Sequence, residues 1–251
     1  MEIQKTTGIV LYSKTIGEAD YLVRFYTKEH GKRDFIFKGL KKSKRRSQSI
    51  SEPGTAAELV YYFHDDKNYH TVNEYHIHKH YLNIRKDLSR IFLLYFFLEA
   101  VDKTCGANDP NRQIFDLLAA GIETLIETKY AAHLSVFFVL HLLRLLGVLP
   151  DFRQCKICGS DKLPEFKIDN IDFRPICRKC GTSQNSGYIF KNRIQIFIDK
   201  SLTGKFSAID MQYFPPEEVI HLFFQLCLFT QNYFHIELKS KEMLITEISR
   251  R

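Results

Sequence analysis

Apolar and polar residues alternate in short runs over the first third of the chain. The runs are Thr7–Tyr12, Tyr21–Tyr26, Arg33–Lys38, Glu58–Phe63 and Thr71–Ile77, all rich in β-branched and aromatic residues. Gly17, His30-Gly31, Pro53-Gly54 and Asp65-Asp66 fall between them, so the pattern predicts five strands joined by turns. Five short strands in about 80 residues suit a small barrel, with the five-stranded OB-fold as the leading choice. Composition alone leaves an SH3-like barrel open beside it.

After Tyr81 the period changes. Leu88–Val101 is apolar nearly all round and predicts a buried helix, with Gly106 as its stop. Asp109-Pro110 offers an N-cap and a first-turn proline for a helix running to about Glu127. Ala132–Leu146 predicts a third helix, closed by Gly147 and Pro150. Gly187–Ser201 returns to mixed, helical sequence. Pro215-Pro216-Glu217-Glu218 opens a last long helix from Val219 to about Phe234, with two acids at the positive end of its dipole. The expected architecture is α+β and multidomain: an OB-fold barrel at 1–80, then an α-helical domain at 81–251 with a knuckle inserted at about 151–186.

The chain has 251 residues, 45% hydrophobic and 26% charged, enough for one or two globular domains. The longest apolar stretches, Ile91–Leu98 and Leu134–Leu149, fall short of the roughly 20 residues that cross a bilayer. Met1–Thr7 lacks the basic start and apolar run of a secretory signal. The expected location is therefore cytoplasmic, with no membrane contact. Net charge is +7 from 36 basic and 29 acidic residues. Residues 1–50 hold 12 of the basic and 5 of the acidic residues, and the rest are balanced, so the excess cation sits in the barrel. That asymmetry predicts a polyanion as the barrel's partner.

Four of the six cysteines form Cys155-x-x-Cys158 and Cys177-x-x-Cys180, with 18 residues between the pairs. Two such turns bring four soft ligands to one point, which suits a tetrahedral Zn²⁺. Gly159 and Gly181, directly after the pairs, allow the tight turns around the metal. Four protein ligands fill the coordination shell, so the expected role is structural. A zinc deaminase would need His-x-Glu upstream of Pro-Cys-x-x-Cys. The His-x-Glu of this chain, His235-Ile-Glu237, lies downstream of both pairs. Neither a phosphate-binding glycine loop nor a G-x-S-x-G elbow occurs.

Lys38-Gly-Leu-Lys-Lys-Ser-Lys-Arg-Arg46 places six cations in nine residues directly after a predicted strand. A solvated face usually mixes signs, and this one does not, so Lys38, Lys41, Lys42, Lys44, Arg45 and Arg46 are assigned to phosphate contact. Arg24, Lys28, Lys32 and Arg33 extend the cationic character into the strands, with Arg24, Lys32 and Arg33 added to the DNA-binding set. The interleaved Tyr21, Phe25, Tyr26, Phe35 and Phe37 could stack bases, but are better read as barrel core. His76, His78 and His80 alternate and would share a strand face, more simply an exposed edge than a metal site. His141, His221 and His235 lie on apolar helices and are assigned to core or interface.

Gly8-Ile-Val-Leu, Gly17-Glu-Ala-Asp-Tyr-Leu-Val, Thr27-Lys-Glu-His-Gly-Lys32, Phe37-Lys-Gly-Leu-Lys-Lys42, Gly147-Val-Leu-Pro-Asp151 before Cys155-Lys-Ile-Cys-Gly159, and Leu238-Lys-Ser-Lys-Glu-Met-Leu244 follow one another in order. Together they resemble the bacterial RecO family of recombination mediators over nearly the whole chain. The density of Lys41–Arg46 departs from the family pattern. The resemblance implies an OB-fold, a helical domain and a zinc knuckle. It implies a non-enzymatic DNA repair protein that binds single- and double-stranded DNA and anneals complementary strands. It also implies action with RecR to help load RecA onto DNA covered by single-strand-binding protein, whose acidic, apolar C-terminal tail is a further partner. Such a tail needs a groove edged by a cation, for which the helix carrying His141 and Arg144 is the candidate. Zn²⁺ is the expected cofactor, and nucleoid association follows from the same resemblance. An RNA-binding or transcription-associated barrel with a zinc ribbon is the competing reading. It predicts that RNA outcompetes DNA of equal length.

Overall fold

The computed structural model describes residues 2–64, 67–181 and 187–249. The expected Asp65-Asp66 turn and the last residues of the expected knuckle lie outside these. Two compact units form, Met1–Glu127 and Thr128–Arg251.

In the first unit β1 (Glu2–Ile16), β2 (Asp20–Thr27), β3 (Gly31–Phe37), β4 (Ala56–Phe63) and β5 (Tyr69–Lys79) close into a barrel in the order β1-β2-β3-β5-β4. β3 and β5 pair in parallel and the other neighbours antiparallel. A short 3-10 turn, Gln48–Ser51, sits between β3 and β4. This is the OB arrangement, and the open choice between OB and SH3-like barrels is settled by the parallel closure.

β1 is far longer than the six residues expected, because one strand serves two neighbours. Its first half pairs with β4 and its second with β2, and a register shift between Val10 and Tyr12 turns it from one to the other. The alternating pattern points Val23, Phe25, Phe35, Phe37, Leu59 and Tyr61 into the barrel, where each is fully buried. Phe35 packs edge-on to Phe25 (5.6 Å) and Tyr61 (5.1 Å). Of the interleaved aromatics, Phe25, Phe35 and Phe37 are barrel core, Tyr21 packs partly buried against it, and Tyr26 is buried outside that cluster with its hydroxyl donating to the Asn111 carbonyl (3.4 Å).

α1 (Leu88–Thr104) and α2 (Arg112–Glu127) group with the barrel. The change from strand to helix near residue 80 thus does not coincide with the division in packing, since α1 packs on β1. Asp87 caps α1 through the amides of Ser89 and Arg90. The expected cap of α2 at Asp109-Pro110 is displaced: Asn111 Oδ1 accepts from the Gln113 and Ile114 amides (3.0 and 3.2 Å) and the helix starts at Arg112. Asp109 is committed elsewhere. Its backbone lies against Gly31, where a Cβ would come within 2.3 Å of the Asp109 carbonyl oxygen, and Gly31 is left-handed at φ +67°.

The second unit contains α3 (Ala131–Leu145), the small sheet β7-β6-β8 made of β6 (Glu165–Ile168), β7 (Pro175–Cys177) and β8 (Phe190–Lys191), then α4 (Asn192–Thr203), α5 (Pro216–Phe234) and α6 (Ser240–Ile248). The segment expected to be helical from Gly187 instead enters as β8, because Phe190 pairs with Phe166 before the helix begins. α3 packs against α4 and α5, which explains their nearly continuous apolar sequence. No helix among the described residues is long and apolar enough to cross a membrane.

Candidate nucleic-acid interface and metal centre

Residues 38–47 leave the barrel as an ordered loop. Leu40 is fully buried in the barrel core and pins its base. The Gly39 amide donates to Asp20 Oδ1 (2.7 Å) and the Lys41 amide to the Ala19 carbonyl (2.9 Å). Ser43 Oγ accepts from the Arg45 and Arg46 amides, and Gln48 Nε2 donates to the Lys41 carbonyl. With the backbone fixed, the side chains of Lys38, Lys41, Lys42, Lys44 and Arg45 stand exposed. Lys42 meets Glu18 at 2.9 Å in full solvent, an interaction worth little. Arg46 folds back, its guanidinium donating to the Lys38 carbonyl. The anchors Asp20 and Leu40 were not singled out in the sequence; a lone Asp opening a strand and a lone Leu in a basic run were the available signals.

The cations within the strands differ from those of the loop. Arg24 forms a two-pronged pair with Asp34 (2.7 and 2.9 Å) and reaches Asp102 at 3.2 Å. Its hydrogen bonds to Asp34 raise its pKa further above an already high value, against the opposing effect of burial. Lys32 donates to the Asp102 carbonyl and lies 3.7 Å from its carboxylate. Arg33 instead meets neutral groups among the described residues: Nε donates to Asn108 Oδ1 (2.9 Å), Nη1 to the Tyr61 hydroxyl (3.2 Å), and the guanidinium lies 5.6 Å from the Phe63 ring centre.

His76 and His78 are exposed on β5, ring centres 5.2 Å apart. His80 lies beyond the strand and bonds Glu52, so the three do not form one site. In the second unit His141 Nε2 donates to the Ser201 carbonyl (2.8 Å) while Nδ1 accepts from Arg144 (2.9 Å), whose other prong reaches the Leu202 carbonyl (2.6 Å). Both side chains thus cap the C-terminal end of α4. His221 stacks on Tyr188 (3.7 Å). His235, expected in core or interface, is exposed in the left-handed cap of α5 (φ +53°).

The four cysteine Sγ atoms all lie within 4.8 Å of one another. Sγ of Cys158 and Cys177 are 3.8 Å apart; a tetrahedron with metal–sulfur bonds of about 2.3 Å has edges of about 3.8 Å. The donor set therefore fits a metal ion. β7 ends on Cys177 and the turn after it brings round Cys180, while Gly159 turns the first pair in the left-handed region (φ +72°). Gly181 has no such need: a Cβ there meets its nearest neighbour at 3.5 Å. Burial raises the Cys155 thiol, but amide donors from Cys158, Cys177 and Ile157 outweigh it and bring it to about 6. One ligand is thus poised as thiolate near neutral pH.

The fold and site define an OB-barrel protein, the class whose loops hold oligonucleotides or oligosaccharides. The family described as Recombination protein O, N terminal, matches residues 1–81, and its C-terminal counterpart matches residues 85–242. The chain belongs to the recombination protein O family. A DNA repair protein RecO of Leptospira biflexa is 29% identical over 184 residues, 72% of this chain and 73% of that one. The RecO of a Thermoanaerobacter species is 24% identical over 97% of this chain and 98% of its own length. That of an Exiguobacterium species is 31% identical over 63% of each. Membership places the chain in DNA repair and recombination, in a family of mediators and not of enzymes.

Proposed function

We propose that this protein binds single- and double-stranded DNA through the barrel, at about residues 1–80, and anneals complementary strands. With RecR it helps load RecA onto DNA coated with single-strand-binding protein. The observation that carries the reading is the anchored loop with its exposed cations: Lys38, Lys41, Lys42, Lys44 and Arg45 project from a fixed backbone, with no apolar side chain except the buried Leu40. Such a surface neutralises phosphates and leaves bases free, which is what pairing two strands requires. Arg24 and Lys32 contribute field more than contact, since Asp34 and Asp102 balance them. The tail of single-strand-binding protein is assigned to the end of α3, where Arg144 is exposed beside His141. The metal is Zn²⁺, held by the four cysteines in a structural role that supports the second unit's fold. The protein works in the bacterial cytoplasm, on the nucleoid.

Binding to single strands, followed against salt, tests the core of this reading. Five phosphates neutralised give a log–log slope of about −3.5. Replacing Lys41, Lys42, Lys44, Arg45 and Arg46 together by Gln should cut the magnitude of that slope by more than half and leave the thermal midpoint nearly unchanged. A wild-type slope near zero would contradict loop binding, and an equal loss of stability would make the loop structural.

A further inference from the structure

Beside the N-terminal half of β3, within the first unit, lies a cavity of about 620 Å³, a size that holds a drug-sized ligand. One wall carries Arg24, Lys32 and Asp34, and with Asp102 behind them these four charges cancel. Arg33 and Lys67 remain as cations whose partners among the described residues are neutral: Asn108, Tyr61 and Phe63 for Arg33, the Tyr69 ring for Lys67. Arg33 has five N–H donors, two of them committed, and these two fix its plane and leave the others for a ligand. Tyr61 is itself held by Gln4 Oε1 (2.9 Å), so the guanidinium is positioned from behind. Rings and amides complete the lining. Phe63 stacks on His70 (5.0 Å), His64 lies alongside, and Asn68 and Asn108 offer amide edges.

We infer that this cavity seats one nucleotide of a bound single strand, its phosphate on Arg33 and Lys67 and its base among His64, Asn68 and Asn108. The inference rests on the DNA-binding reading and adds a defined seat to it. Among the described residues the lining is net positive, which selects an anion. The Asn68 and Asn108 amides and the His64 imidazole beside that charge offer donors and acceptors to a base edge. Position agrees with the chemistry. Arg33 and Lys38 are five residues apart on or next to β3, about 17 Å along a strand. A single chain of nucleotides therefore reaches from the loop to the cavity within the 4–16 nucleotides that one OB barrel holds, about. The loop holds backbone without regard to the base, and the cavity fixes register.

The test is photo-crosslinking of the full-length protein to oligothymidylate of about 16 nucleotides carrying one 4-thiothymidine, moved along the strand, with the adducts mapped by mass spectrometry. The expected result is an adduct on the peptides holding residues 63–68 or 105–108 at a restricted set of positions. Arg33→Gln with Lys67→Gln should lower that adduct at least fivefold at saturating DNA and reduce the magnitude of the salt slope by about 1.4, or 0.7 for each phosphate. Asn68→Trp fills the exposed side of the cavity without removing charge and should abolish the same adduct, which keeps the test sound if the double variant folds poorly. Adducts confined to residues 38–47, with DNA fully bound, would overturn the cavity as a nucleotide seat and leave loop binding standing. Absence of DNA binding altogether would overturn both.

Discussion

Asp34 decides what Arg24 can do. A guanidinium gripped at both prongs by one carboxylate, and reached by Asp102, is part of the barrel's frame. Asp34→Asn would leave Arg24 partly buried with half its charge compensation. A stability loss of about 1–3 kcal/mol in urea unfolding is expected, with little change in DNA affinity. A large fall in affinity with no loss of stability would instead make Arg24 a contact residue. Two histidines of the second unit give a pH signature. Burial lowers the pKa of both His133 and His141, only partly offset by their hydrogen bonds to the Phe214 and Ser201 carbonyls. Each is neutral in the fold and takes up a proton more readily when unfolded, near the ordinary value of about 6.5. Their contribution is therefore complete above about pH 6.5 and is lost as pH falls toward their lowered folded values. The urea midpoint should drop between about pH 7.5 and 5.5, and His141→Gln should flatten that drop. An unchanged slope in the variant would contradict the assignment.

At the scale of elements, the strands were legible and the pairing of charges was not. Alternation is a local property, so Val23, Phe25, Phe35 and Phe37 declare their face within a few residues. The helix from Asn111 was misplaced by two residues because two adjacent capping patterns compete there, and contact with Gly31 settles the choice. Arg24 and Lys32 looked as free as Lys41 in sequence. Their partners Asp34 and Asp102 come from the neighbouring strand and from α1, which composition cannot foresee. The cysteine quartet was legible because its spacing is itself the geometry. Its energetic role can be measured directly. Cys177→Ser, or a strong chelator on the wild type, should lower the thermal midpoint of the second unit by several degrees and expose the β6–β7 hairpin to protease. An unaffected midpoint would mean that the hairpin's own contacts suffice, among them the Asp169 carboxylate. Burial works against its ionised form, but Lys156 and the amides of Ile171 and Asp172 hold its pKa down to about 2.

The whole molecule joins an OB barrel with excess cation to a helical unit with a four-cysteine cluster, in one recombination protein O chain. Family and architecture were readable from ordered short motifs spread along the sequence, since their spacing fixes the same elements that the structure contains. Partner surfaces were not readable that way. A docking face carries no spacing rule, and the bonds that hold His141 and Arg144 at the end of α4 reach residues 60 and 58 positions away. Annealing is the property in which loop, barrel and partners act together. The most direct measurement is the rate at which two complementary labelled oligonucleotides, each coated with single-strand-binding protein, pair with and without this protein. The account predicts acceleration without cleavage of either strand, lost when the five loop cations are neutralised. Unchanged annealing despite tight binding to bare DNA would contradict it and leave a plain binding module.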